Sequence, residues 1–159
     1  LLTVANEYCL FMEKIETYTK EDVISYLQKL LPLLYIKGCT LPHVDVEYPE
    51  ANERFVTEEN WQTIFNDTRN KLGKDDEKWI VNYYEQDEDS RIKISLSEFL
   101  ADVYQDMKDF ILLYQKNTKA ARENAVFEIK ELFASHWGFR IIEVHKFMHL
   151  WIYKNNIDF

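Results

Sequence analysis

Gly38, Gly73 and Gly138 are the only glycines in the chain, and each falls where a run of apolar residues spaced three and four apart comes to an end. Side chains at that spacing stack along one face of a helix. A chain of 159 residues with three glycines and three prolines has few places to turn, which disfavours a sandwich of short strands and favours long helices. At this length folding buries roughly 70% of the surface that an unfolded chain exposes, enough for one continuous core. A single domain over residues 1–159 is therefore expected.

The first run is Val4, Tyr8, Phe11, Ile15 and Tyr18. Thr19 followed three residues later by Asp22, with Tyr18 and Val23 placed as a hydrophobic staple, reads as the start of the next helix. Val23, Leu27, Leu30 and Leu34 extend its buried face to Gly38, the expected C-cap. Pro32 lies inside this run, where it removes a backbone donor and crowds the carbonyl four residues back, so a kink is expected near Gln28 to Leu31.

From Cys39 to Val56 the periodicity fails and Pro42 and Pro49 intervene, giving an extended surface connection. Thr57 restarts a helix whose inner face is Trp61, Ile64, Phe65 and Leu72, ending at Gly73. Residues 74–94 alternate acidic runs with the aromatic stretch WIVNYY and the period-two segment RIKI, a pattern that fits a short hairpin or an irregular flap.

Ser95 with Glu98 forms a capping-box signature, and Leu96, Phe99, Leu100, Val103, Met107, Phe110, Ile111 and Tyr114 give the helix that follows its apolar stripe. After Asn117 and Thr118 a fifth helix runs toward Trp137, and Gly138 separates it from a sixth that ends near Lys154. The sixth is apolar around most of its circumference, which places it at the centre of the bundle. The expected fold is all-α: an irregular bundle of about six helices with a small hairpin or flap at residues 74–94.

A net charge of -9 with no basic cluster argues against nucleic-acid binding, because phosphate contacts require grouped Lys and Arg. The longest apolar run, Leu30 to Ile36, is too short to span a bilayer, which takes about 18 residues. Cys9 and Cys39 have no metal-site spacing and read as two reduced, buried thiols, and cytoplasm is the expected compartment. Three glycines at helix ends leave no phosphate-binding loop or dinucleotide fingerprint, and no GxSxG elbow is present. No catalytic residue and no cofactor is assigned.

Four groups carry possible chemistry. Glu98, Asp102, Gln105 and Asp109 project opposite the apolar stripe of the fourth helix, where a solvated face is expected. His145 and His149 are four apart on the sixth helix, a spacing that lets two imidazoles converge on one metal. His43, Asp45 and Glu47 alternate with Val44 and Val46 and would share one side of an extended segment, a second metal-ligand set. The segment Trp79 to Asp89 combines Trp79, Tyr83 and Tyr84 with Glu85, Asp87, Glu88 and Asp89, a composition suited to docking a basic, partly apolar partner. The residues three before His43, His136, His145 and His149 are Thr40, Phe133, Ile142 and Lys146, so the Glu-x-x-His pairs of a di-iron bundle are missing.

The stretches YCLFMEKIETYTKEDVISYLQKLLPLLY, EANERFVTEENW, SLSEFLADVYQDMKDFILLYQKN and SHWGFRIIEV resemble an uncharacterised bacterial family known as a domain of unknown function. The likeness covers nearly the whole chain and is distinctive at LADVYQDMKDF and at His136, Trp137 and Gly138. It implies a helical architecture, and it implies no activity, cofactor or catalytic residue. The expected role is a non-catalytic interaction module, of adaptor, inhibitor or immunity type, whose acidic surface meets a basic protein partner. The competing expectation is a metal-binding protein or metal-dependent hydrolase using the helix-borne histidines or the His43, Asp45 and Glu47 set.

Overall fold

The computed structural model describes residues 1–82 and 90–154. Its helices are α1 (Leu2–Glu13), α2 (Lys20–Cys39), α3 (Glu58–Leu72), α4 (Leu96–Tyr114), α5 (Lys119–Leu132) and α6 (Gly138–Tyr153), with strands β1 (Glu77–Val81) and β2 (Arg91–Ser95) between α3 and α4. The all-helical bundle with a small hairpin is the fold expected from periodicity.

Most helices begin where a short polar side chain accepts from an otherwise unpaired backbone N–H. Thr19 accepts from the Asp22 amide at 3.2 Å, and Thr118 accepts from the Ala121 amide at 3.1 Å. Thr57 and Asn60 form a reciprocal capping box. At α4 the reciprocal partner is not Glu98. Ser95 accepts from the Glu98 amide at 3.2 Å, but the buried carboxylate of Asp76 supplies the negative charge, accepting from the Ser97 amide at 2.7 Å and the Ser95 hydroxyl at 2.7 Å. A carboxylate there also suits the positive end of the helix dipole.

The three glycines do three different things. Gly73 follows α3 with a φ of 55°, the left-handed region that favours glycine. Gly38, expected as a C-cap, instead lies inside α2, because a Cβ there would come within 2.4 to 2.6 Å of the Phe133 and Trp137 rings. Gly138 does not end a helix either. It begins α6 directly after a π-helical turn, Phe133–Trp137, so α5 and α6 form one continuous run with no loop between them. A Cβ on Gly138 would sit 2.5 Å from the Phe133 carbonyl oxygen, the close approach that a wider turn requires.

Helix α4, rather than α6, takes the centre, packing against α1, α3, α5 and α6. The apolar circumference that suggested a central α6 is partly left in water, with Ile142 50% and Leu150 38% exposed. One hydrophobic core joins all six helices and both strands, with Trp137, Tyr8, Met12 and Met107 among its fully buried side chains. The Tyr8 hydroxyl donates to the Leu100 carbonyl at 2.6 Å, so the buried phenol keeps its partner. Cys9 is buried as expected, but Cys39 is exposed at the end of α2; both are free.

Pro32 lies within α2, which continues through it to Cys39. The carbonyl that the missing Pro32 N–H would have met is that of Gln28, and His145 Nε2 on α6 lies 3.0 Å from it. A carbonyl only accepts, so Nε2 carries the proton. The connection between α2 and α3 is extended, as expected, with a single short helical turn at Pro49–Ala51. It is pinned to the bundle where Asn124 Nδ2 donates to the Tyr48 carbonyl at 2.8 Å. No helix among the described residues is long and apolar enough to cross a membrane.

Candidate functional site

The hairpin follows from the alternation in EKWIV and RIKIS. Strands β1 and β2 are antiparallel, with Lys78 opposite Ile94, Trp79 opposite Lys93, and Ile80 opposite Ile92. Ile80 and Ile94 are buried and fasten the inner face to the bundle, while the Lys78 ammonium sits 5.6 Å from the centre of the Phe147 ring. The period of two then sends Glu77, Trp79 and Val81 outward with Arg91 and Lys93. Trp79 is 62% exposed and Val81 44%. Lys93 pairs with Glu77 at 2.8 Å, and that contact holds the Glu77 carboxyl below its ordinary range.

Of the residues expected to dock a partner, Trp79 lies at the surface of β1. Tyr83, Tyr84, Glu85, Asp87, Glu88 and Asp89 lie outside the described residues.

The candidate metal ligands fall in two places. His43, Asp45 and Glu47 are exposed and alternate with half-buried Val44 and Val46, the arrangement expected of them. His43 Nε2 and Asp45 Oδ1 are 3.0 Å apart, with the two side chains 76% and 98% exposed. On α6 the two histidines go separate ways. His145 uses Nε2 on the Gln28 carbonyl, and the His149 ring packs 4.7 Å from the Tyr153 ring. Among the described residues no group of three or more His, Cys, Asp or Glu side chains is placed to hold a metal ion.

The polar face of α4 is the feature that sequence reasoning misread. Glu98 is exposed as expected, but Asp102 and Asp109 are not on a solvated face. Asp102 accepts from Trp61 Nε1 on α3 at 3.0 Å and from Arg140 Nε on α6 at 3.0 Å. Asp109 Oδ1 accepts from the amides of Phe55 at 2.7 Å and Val56 at 2.8 Å, and so holds the connection that leads into α3. Between them, Asp106 is 5% exposed and lies 2.5 Å from His136 Nδ1 in the π turn. Burial pushes the Asp106 carboxyl up, and the hydrogen bond with His136 opposes that shift. The reason is topological, since α3, α6 and the connection into α3 cover the side of α4 from which Asp102 and Asp109 project.

The pairing has a regular geometry. Asp102 meets Arg140 and Asp106 meets His136, so two acids four apart on α4 face two bases four apart on a helix running the other way. His136 Nε2 lies 4.0 Å from Asp102 Oδ2, which turns both ring nitrogens toward carboxylates rather than toward a hydroxyl or thiol. The Arg140 guanidinium also stacks 5.2 Å from the centre of the Phe99 ring and donates to the His136 carbonyl at 3.0 Å. A network satisfied in this way fixes the relative position of helices. A small crevice nearby is lined by Asp106, Asp109, Phe110, Glu128 and Ile129. Its acids are engaged too, Glu128 with Arg54 at 3.2 Å and Asp109 with the two backbone amides.

Residues 1–154 match the model of the family described as "Domain of unknown function (DUF5063)". The chain belongs to this family. The DUF5063 chain is also similar to the crystal structure of protein BF1032 from Bacteroides fragilis, with 30% identity and a TM-score of 0.82 over 94% of this chain and 87% of that one. No match was found among curated proteins. Family membership thus agrees with the resemblance carried by His136, Trp137 and Gly138, which in the fold form the π turn and its junction with α6.

Proposed function

We propose that this DUF5063 chain is a non-catalytic, cytoplasmic bacterial interaction module that docks a basic protein partner on its hairpin, acting as an adaptor, inhibitor or immunity-type protein. The observation that carries the reading is Trp79, the most exposed large apolar side chain among the described residues at 62%. Leaving such a side chain in water forgoes on the order of 2 kcal/mol or more of burial, which a partner recovers by covering it. Tryptophan and tyrosine are the side chains most enriched among residues that dominate binding energy.

Charge supports the choice of partner. The chain carries -9 overall, and Glu85, Asp87, Glu88 and Asp89 fall in the segment that joins β1 to β2. Acidic side chains beside an exposed aromatic steer a basic surface toward it and make association sensitive to salt.

The test is a pull-down from native extract at low and high salt, using the full chain and its Trp79→Ala variant. A basic protein retained at low salt, released at high salt and lost with Trp79→Ala is the expected result. Retention that ignores both salt and Trp79 would overturn the reading.

A further inference from the structure

Two backbone hydrogen bonds that flank the hairpin fix which amides face outward. The Asn82 amide donates to the Ser90 carbonyl at 3.0 Å, and the Leu96 amide donates to the Asp76 carbonyl at 2.8 Å. Both bonds continue the register in which Glu77 faces Ser95 and Val81 faces Arg91. In an antiparallel ladder, pairs that exchange hydrogen bonds alternate with pairs that do not. The bonded residues of β1 are therefore Lys78 and Ile80, in step with Asp76 and Asn82. The N–H and C=O groups of Glu77, Trp79 and Val81 point away from β2, along the outer edge of β1.

The sheet has two strands, so this edge meets no third strand among the described residues. The two edges differ in their protection. Along β2 the outward residues are Arg91, Lys93 and Ser95; two carry charge, and the Ser95 hydroxyl caps α4. Along β1 they are Glu77, Trp79 and Val81, and the one charge among them is already paired with Lys93. Natural sheets blunt an edge with charge, above all lysine, because a free row of backbone donors and acceptors templates another strand. β2 carries two charges and no large apolar side chain on that row, whereas β1 carries one charge beside the exposed Trp79 and Val81.

We propose that the outer edge of β1 receives an extended segment of the partner by strand addition, and that this segment alternates Lys or Arg with apolar residues. Backbone bonds to Glu77, Trp79 and Val81 supply the affinity, as in other strand-addition complexes. The alternation supplies the selectivity. Cationic side chains on the outward face of the added strand lie beside the Trp79 ring, to whose face an ammonium is attracted. The inference rests on the docking role proposed for the hairpin, and it names the chemistry of what docks.

A synthetic eight-residue peptide of alternating Val and Lys, titrated into the full chain, is the probe. Binding is followed by the change in tryptophan fluorescence that is lost with Trp79→Phe and by hydrogen exchange of individual amides. Val81→Pro removes an outward N–H that the ladder does not use, at a position where an edge strand tolerates proline, and its thermal melt reports whether the fold survives. The expected result is saturable binding, slowed exchange at the Glu77, Trp79 and Val81 amides of the unmutated chain, and about ten-fold weaker binding with Val81→Pro, the loss of one hydrogen bond. Slowed exchange in the unmutated chain carries the test if the proline variant does not fold. Binding that needs Trp79 but ignores Val81→Pro, with no slowed exchange at those three amides, overturns strand addition while leaving side-chain docking intact. A peptide that does not bind, alongside a salt-sensitive partner still lost with Trp79→Ala, likewise sinks strand addition alone. Failure of both the peptide and the pull-down sinks both readings.

Discussion

On α4, Asp102, Asp106 and Asp109 turn toward the protein and each finds donors there, whereas on β1 Trp79 turns toward water and finds none of the core. Both regions reverse the usual rule that charge is outside and aromatic surface inside, and they do so for opposite reasons. Burying a carboxylate is costly unless it is fully paired, and the three aspartates are paired with Arg140, His136, Trp61 and two backbone amides. Nothing within the described chain compensates Trp79. The inward acids therefore belong to the stability of the molecule, and the outward tryptophan is the side chain we propose a partner covers. Mutations in the two regions should separate these properties.

The largest effect is expected at Asp109. Asp109→Ala leaves the Phe55 and Val56 amides without their shared acceptor, which should cost about 2–4 kcal/mol, two bonds to a charged group, in urea denaturation. A loss below about 0.5 kcal/mol, the range of an ordinary surface substitution, would break the comparison by placing Asp109 among solvated acids after all. Next comes Gly38→Ala, where the added methyl meets the Phe133 and Trp137 rings and should cost about 1–3 kcal/mol through overpacking. That loss should appear as a lower melting temperature, since it disturbs the π turn that carries His136. A double-mutant cycle on Asp106→Ala and His136→Ala sharpens the contrast further, with an expected coupling of about 1–2 kcal/mol; simple additivity would mean that the pair does not act as a unit. The smallest change in stability, within about 0.5 kcal/mol, is expected of Trp79→Ala, the variant that should abolish partner retention. A large stability loss there would move Trp79 to the structural side.

Local chemistry was readable in the sequence. Thr19 and Ser95 are legible as helix starts from the cap spacing of three residues, and Thr57 from the staple of Val56 and Trp61; each accepts from the amide three residues on. The outward set of His43, Asp45 and Glu47 follows from alternation alone, and the RIKI segment, which fits a short hairpin or an irregular flap, is strand β2. What failed was long-range. Periodicity can say that Asp102 and Asp109 lie opposite an apolar stripe, but not that α3 and α6 cover that side. The missed signal was the matched spacing of Asp102 and Asp106 with His136 and Arg140, four residues apart in each pair, which acquires meaning only once the two helices are known to run antiparallel. Gly38 and Gly138 misled for a related reason. Each is required by a close neighbour, the rings of Phe133 and Trp137 in one case and the Phe133 carbonyl in the other, and a glycine needed for space looks the same in sequence as one needed for a turn.

The proline in α2 has a mechanical consequence. By leaving the Gln28 oxygen free, Pro32 creates a single socket partway along an otherwise repetitive helix, and the His145 imidazole is the plug that enters it. A slide of one turn of one element past another is among the ways proteins shift between states. Here such a slide would withdraw the imidazole and leave a bare carbonyl behind. The register of α2 against α6 is thereby marked at one position.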